Sequence, residues 1–256
     1  MSMKRILAAT DGTRDGDHAV RMGQALAQQA DGEFARLAVE TSAPNWEPGL
    51  ERWREPAAPG GTATRLRGLP GIEIVRYAES WGADLVVLGR HDHTPERPLQ
   101  LGPTSDTVIR RRAGISLFVP PRAVTIRRAL IALDGSLRGL GIVAPAVPFL
   151  NLTRAETKSI CVLSGTTPEP TDTWRDVRQE RVSILIDRLQ LDAGPCELVM
   201  RWGEPVPEIL RMIQETGADL LILGVRRGGL RGDLGSGYVG RELLKSASCA
   251  VLTVPI

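Results

Sequence analysis

The chain of 256 residues is predicted to fold as α/β, in two successive copies of an open, parallel, five-stranded sheet with helices on its faces. Three observations carry this prediction. The sequence repeats at a period close to half its length. Within each copy, short apolar runs alternate with longer amphipathic stretches. The central runs, Asp84-Leu-Val-Val-Leu-Gly89 and Asp219-Leu-Leu-Ile-Leu-Gly224, are apolar without alternation, as parallel strands covered on both faces must be.

The repeat is read by sliding the chain along itself. At an offset of 123, the segment from Arg5 to Thr13 lies on Arg128 to Ser136 with five of nine positions identical. At an offset of 135, Gly68 to Arg90 lies on Gly203 to Val225 with 11 of 23 identical, where unrelated segments share about one in twenty. The same offset runs on to Pro120 and Pro255, so both halves end alike, in Leu-Phe-Val-Pro and Leu-Thr-Val-Pro. The period is far longer than that of a solenoid, roughly 20 to 50 residues, so each copy is expected to have its own core. The boundary falls at Pro120-Pro121-Arg122, giving domains over residues 1–121 and 122–256.

The first copy's strands are expected at residues 5–10, 33–39, 62–67, 84–89 and 115–119, and the second copy's at 128–133, 156–163, 196–201, 219–224 and 249–254. Between them, Arg14 to Ala30 sets Ala19, Met22, Leu26 and Ala27 on one helical stripe. Pro70 to Trp81 and Pro205 to Thr216 each open with a proline, which a helix accepts in its first turn. Pro145 and Pro148 fall inside the second copy's first crossover helix, which is expected to be shortened or kinked there. The 12-residue difference between the offsets lies in the middle crossover. There the second copy has room for a helix at Trp174 to Leu189, whereas Pro44, Pro48, Pro56, Pro59, Gly60 and Gly61 predict a loop in the first.

Composition removes several classes. With 32 basic against 30 acidic residues, the net charge of +2 points to no nucleic-acid or membrane-surface partner. Cys161, Cys196 and Cys249 are far apart and odd in number, so they read as reduced, buried thiols. The apolar run after Lys4 and Arg5 is too short for a signal peptide, and the expected location is the cytoplasm. No GxxxxGK[ST] loop and no signature of a catalytic nucleophile is present, which argues against an enzyme. His91-Asp92-His93 lacks further ligands, so no metal site is expected. Arg110-Arg111-Arg112 closes a predicted helix, where cations complement the dipole, and Trp46 and Trp53 read as a cap over the core.

A strand ending in Asp11-Gly12-Thr13 or Asp134-Gly135-Ser136, a Gly-x-Pro turn before the next helix, and Ala-Asp-Leu-x-x-Leu-Gly closing a central strand together resemble the universal stress protein family, over nearly the whole chain and twice. The resemblance implies an adenine-nucleotide alpha hydrolase-like, Rossmann-like fold, with the two halves paired about a pseudo-twofold axis through the last strands, Ser116 to Val119 and Ala250 to Val254. It implies ATP or a related adenine nucleotide as ligand, bound where strand ends, glycines and a helix N-terminus meet. Carried over to this sequence, Asp11 and Asp134 hold the adenine end, and a loop of the form Gly-x2-Gly-x9-Gly-(Ser/Thr) wraps the phosphates.

Both loops depart from that form. The first copy reads Gly89-x2-Asp92-x9-Gly102-Pro103, with a carboxylate for the second glycine and a proline for the hydroxyl residue; Gly12, Thr13, Val39 and Thr104 complete its set. The second reads Gly224-x2-Arg227-x9-Gly237-Tyr238, but it is basic and glycine-rich. Its set comprises Asp134, Gly135, Ser136, Gly224, Arg226, Arg227, Gly228, Gly235, Ser236, Gly237, Tyr238 and Val239, and the sequence favours it over the first. The implied function is a non-catalytic stress-response or signalling protein, acting as an internal domain pair, with a homodimer left open. The alternatives are a ligand-free interaction module with vestigial sites and, further off, a nucleotide-hydrolysing enzyme.

Overall fold

The structure, a computed structural model, describes residues 3–41, 61–90, 102–111, 114–122, 125–134, 139–163, 180, 184, 187, 196–225 and 237–256. The chain falls into two compact units that divide between residues 124 and 125.

The first unit runs β1 (Arg5–Thr10), α1 (Arg14–Gln29), β2 (Glu33–Glu40), β3 (Thr62–Arg67), α2 (Pro70–Trp81), β4 (Leu85–Gly89), α3 (Pro103–Arg111) and β5 (Ile115–Val119). Its strands lie in the order β3-β2-β1-β4-β5, with every pairing parallel. Ile6, Leu7 and Ala8 of β1 and Leu85, Val86 and Val87 of β4 are fully buried, which explains why these runs carry no polar alternation. Helix α1 starts where Thr13 caps it, its hydroxyl accepting from the Gly16 amide, and its buried Gly16, Ala19, Gly23, Leu26 and Ala27 follow helical spacing. A Cβ at Gly23 would lie 3.1 Å from Ala8 and from Phe34, so the missing side chain lets α1 lie close against the sheet. Helix α2 opens on Pro70 and ends at Gly82, which takes the left-handed conformation at φ 70°.

The second unit runs β6 (Arg128–Leu133), a 3-10 turn (Gly139–Ile142), α4 (Val143–Thr153), β7 (Glu156–Leu163), β8 (Cys196–Trp202), α5 (Pro205–Thr216), β9 (Leu220–Val225), α6 (Gly237–Ser246) and β10 (Ala250–Pro255). The order β8-β7-β6-β9-β10 repeats that of the first unit, again all parallel. The prolines act as the sequence suggests: the first crossover starts as a 3-10 turn, and α4 is 11 residues long with Pro148 inside it, against 16 for α1. In the middle crossover Glu180, Ile184 and Asp187 are helical. The remainder of 174–189, the first copy's proline-rich segment with Trp46 and Trp53, and His91-Asp92-His93 lie outside the described residues. The three cysteines are free and buried.

The repeated Gly-Ala-Asp-Leu is an architectural device. Its glycine caps α2 or α5 in the left-handed conformation. Its aspartate ties down the entry of the neighbouring strand: Asp84 Oδ2 accepts from the amides of Lys4 and Arg5, both at 2.8 Å, and Asp219 Oδ1 from those of Arg127 and Arg128, both at 2.9 Å. The Arg5 and Arg128 guanidinium groups then reach the last carbonyls of α2 and α5, at Trp81 and Thr216. Each aspartate satisfies two backbone donors that strand pairing leaves over.

Candidate functional site

In a sheet ordered 3-2-1-4-5 the chain leaves β1 toward one side and β4 toward the other, and a crevice opens at the carboxyl ends of these two strands. The first unit has a cavity there of about 340 Å³, inside the roughly 300 to 1,000 Å³ range of small-molecule sites. Its walls come from the tips of β1, β2 and β4 and from the first turns of α1, α2 and α3. Ala9, Leu37, Val39, Ile74 and Leu88 make an apolar surface, and Asp11, Thr13, Thr41, Thr104 and Ser105 bring one carboxylate and four hydroxyls to it.

The turn after β1 is held by local hydrogen bonds. Gly12 adopts φ 81°, which lets the chain reverse into α1. Asp11 Oδ1 accepts from the Thr13 amide at 3.0 Å and from its hydroxyl at 2.6 Å, while the same Thr13 hydroxyl accepts from Gly16. The Gly12 amide donates to Thr10 Oγ1 at 3.1 Å. Two glycines keep this corner tight. A Cβ at Gly16 would lie 2.4 Å from Thr10 Oγ1 and 2.8 Å from Asp11 Oδ1, and one at Gly89 would lie 2.6 Å from the Asp15 carbonyl. The Asp11 carboxylate is thereby fixed at the mouth of the cavity.

Of the residues named for the first copy, Asp11, Thr13, Val39, Gly89, Gly102 and Thr104 line the cavity; Gly12 shapes the turn without lining it. The sequence reading missed Leu37, Thr41, Ile74 and Ser105. Alternation puts Leu37, Val39 and Thr41 on one face, and Ile74 follows Pro70 by one helical turn, but neither pattern tells a cavity from the core.

In the second unit, Asp134 is exposed just after β6, Gly237 opens α6, Tyr238 is exposed and Val239 is half-buried. Gly224, like Gly89, lies against the start of the first crossover helix, but a Cβ there would meet side chains, Ile142 Cγ2 at 2.8 Å and Ile256 Cδ1 at 3.0 Å, where at Gly89 it would meet helix backbone. Gly135, Ser136, Arg226, Arg227, Gly228, Gly235 and Ser236 lie outside the described residues. Among the described residues no group of three or more His, Cys, Asp and Glu could hold a metal ion. No described helix is long and apolar enough to cross a membrane.

Comparison with known proteins gives the same architecture a wider setting. A universal stress protein from Archaeoglobus fulgidus DSM 4304 superimposes with a TM-score of 0.73 at 16% identity, covering 100% of this chain and 99% of its own. A functionally unknown protein of Pseudomonas aeruginosa PAO1 gives 0.71 at 16% identity, covering 99% of this chain and 92% of its own. At these identities the likeness is one of fold. A universal stress protein from Archaeoglobus fulgidus, in complex with dAMP, covers 52% of this chain and 98% of its own, at 18% identity and a TM-score of 0.40. No curated protein matches the chain. The model of the universal stress protein family matches twice, over residues 3–113 and 125–255, and on that double match the chain belongs to the universal stress protein family.

Proposed function

We propose that this protein is a non-catalytic, cytoplasmic stress-response protein that binds ATP or a related adenine nucleotide without turning it over. Its two domains, over residues 1–121 and 122–256, would act as an internal pair. The observation that carries the reading is the first-unit cavity, whose apolar walls suit a flat ring and whose Asp11 and hydroxyls suit a sugar or an amine. Asp11, Thr13, Val39, Gly89, Gly102 and Thr104 are its proposed contacts, with Gly12 holding the turn. The second copy's glycine-rich loop from Gly224 to Val239, with Arg226 and Arg227, is proposed together with Asp134 as a further site; its cations supply the charge that phosphates need.

The test starts by denaturing the purified full chain and analysing the supernatant for adenine nucleotides, followed by thermal shift with added adenine compounds. Gly102→Val is the companion variant, because a Cβ at Gly102 meets nothing within 4 Å and so enters open space beside the cavity. The expected result is a thermal shift that Gly102→Val diminishes. No released nucleotide together with no shift would leave the ligand-free interaction module as the better description.

A further inference from the structure

Helices α2 and α3 both line the first-unit cavity, α2 through Pro70 and Ile74 and α3 through Thr104 and Ser105. Where the two helices meet, α2 has Gly71, which is buried. The backbone there makes no demand for glycine: its φ is not positive, and alanine suits a helix better. Space makes the demand instead. A Cβ at Gly71 would lie 2.5 Å from Thr107 Cβ, 2.9 Å from Thr107 Cγ2 and 3.1 Å from the Thr104 carbonyl oxygen. A Cβ and a carbonyl move only with their backbone, so no change of rotamer relieves the clash and the helices have to part.

The fold itself does not require so close an approach. At the same place the second unit has Val206, half-buried, and Glu242 stands where the first has Thr107. That unit nevertheless builds the same strand order and the corresponding pair of helices. The contact at Gly71 differs in what it holds, since Thr104, whose carbonyl it touches, and Ser105 bring their hydroxyls to the cavity.

We infer that Gly71 is a positioning residue of the first-unit site: its missing side chain sets the spacing of α2 and α3, and with it the distance from Pro70 and Ile74 to the hydroxyls of Thr104 and Ser105. Gly71 does not itself line the cavity. The inference rests on the proposed adenine-nucleotide reading and adds to it what fixes the width of the site. One methyl group at Gly71 forces the helices apart and weakens binding about tenfold.

Isothermal titration of the full chain with ATP, ADP and AMP tests it, the first-unit component being the binding that Gly102→Val removes. Gly71→Ala should weaken that component about tenfold with an unchanged circular dichroism spectrum. Adding Thr107→Gly should restore the affinity to that of Thr107→Gly alone, because the nearest atoms are gone. Adding Thr107→Ala should not, because the Cβ at 2.5 Å stays. A glycine needed for stability only would lower the melting temperature of the ligand-free chain and leave the affinity of the folded chain unchanged. That outcome overturns the inference and leaves the adenine reading standing. A tenfold gap between the Gly71→Ala/Thr107→Gly chain and Thr107→Gly alone overturns it as well, and this comparison decides the matter even where Gly71→Ala by itself does not fold. Nucleotide binding that Gly102→Val leaves intact lies outside this cavity and removes the inference alone; no binding of any of the three nucleotides removes both.

Discussion

At the scale of single residues, the carboxylate hydrogen bonds at the strand entries set the largest effects. Asp84→Ala or Asp219→Ala would leave two strand-entry amides without their acceptor, and a loss of about 1 to 2 kcal/mol is expected in urea unfolding. Gly16→Ala should be worse for binding than for folding, since the added methyl pushes directly on Thr10 and on the Asp11 carboxylate; titration with an adenine nucleotide should show the loss. Cys196 gives a prediction in pH. Burial, chiefly, raises the pKa of its thiol above the ordinary 9.0, against the opposing contact with Ser159 at 3.0 Å, and the Glu197 charge adds to the rise. Below pH 9.0 both folded and unfolded chains keep the proton, so this group leaves stability unaffected there. Above it the unfolded chain loses the proton first, so stability should fall as pH rises toward the folded value, and Cys196→Ala should flatten that fall in urea titrations run from pH 8 to 10.

At the scale of elements, α4 is the most revealing. Pro148 removes one backbone donor from a short helix, so Pro148→Ala should stabilise the chain by about 1 to 3 kcal/mol in thermal unfolding. The disturbance was readable beforehand because proline acts through its own ring, whatever surrounds it. The same holds for the prolines that open α2 and α5, for the glycines that cap them, and for the uninterrupted apolar runs of β4 and β9. The cavity was only half readable. Asp11 and Gly89 stand at strand ends, where local sequence marks them, but Leu37, Ile74 and Ser105 reach the site from β2, α2 and α3, and no local pattern distinguishes a residue facing a cavity from one facing the core. The paired roles of Asp84 and Asp219 were equally hidden, because their partners lie far away along the chain.

At the scale of the whole molecule, a ligand that binds only the folded state should raise stability by mass action: an adenine nucleotide at about 100 times its dissociation constant should add about 2.7 kcal/mol, measurable by calorimetry and diminished in Gly102→Val. The duplication gives two units of one topology whose last helices open with different chemistry, Thr104 and Ser105 in the first standing where the second has Val239 and Gly240. The aspartate at the foot of β4 also bears on the order of events in folding. It grips a strand entry 80 positions earlier, a loop whose ends meet only after much of the sheet has assembled. Removing that grip should therefore leave the refolding rate nearly unchanged and hasten unfolding about five- to thirtyfold, so that this carboxylate sets how long the native chain endures more than how fast it arises.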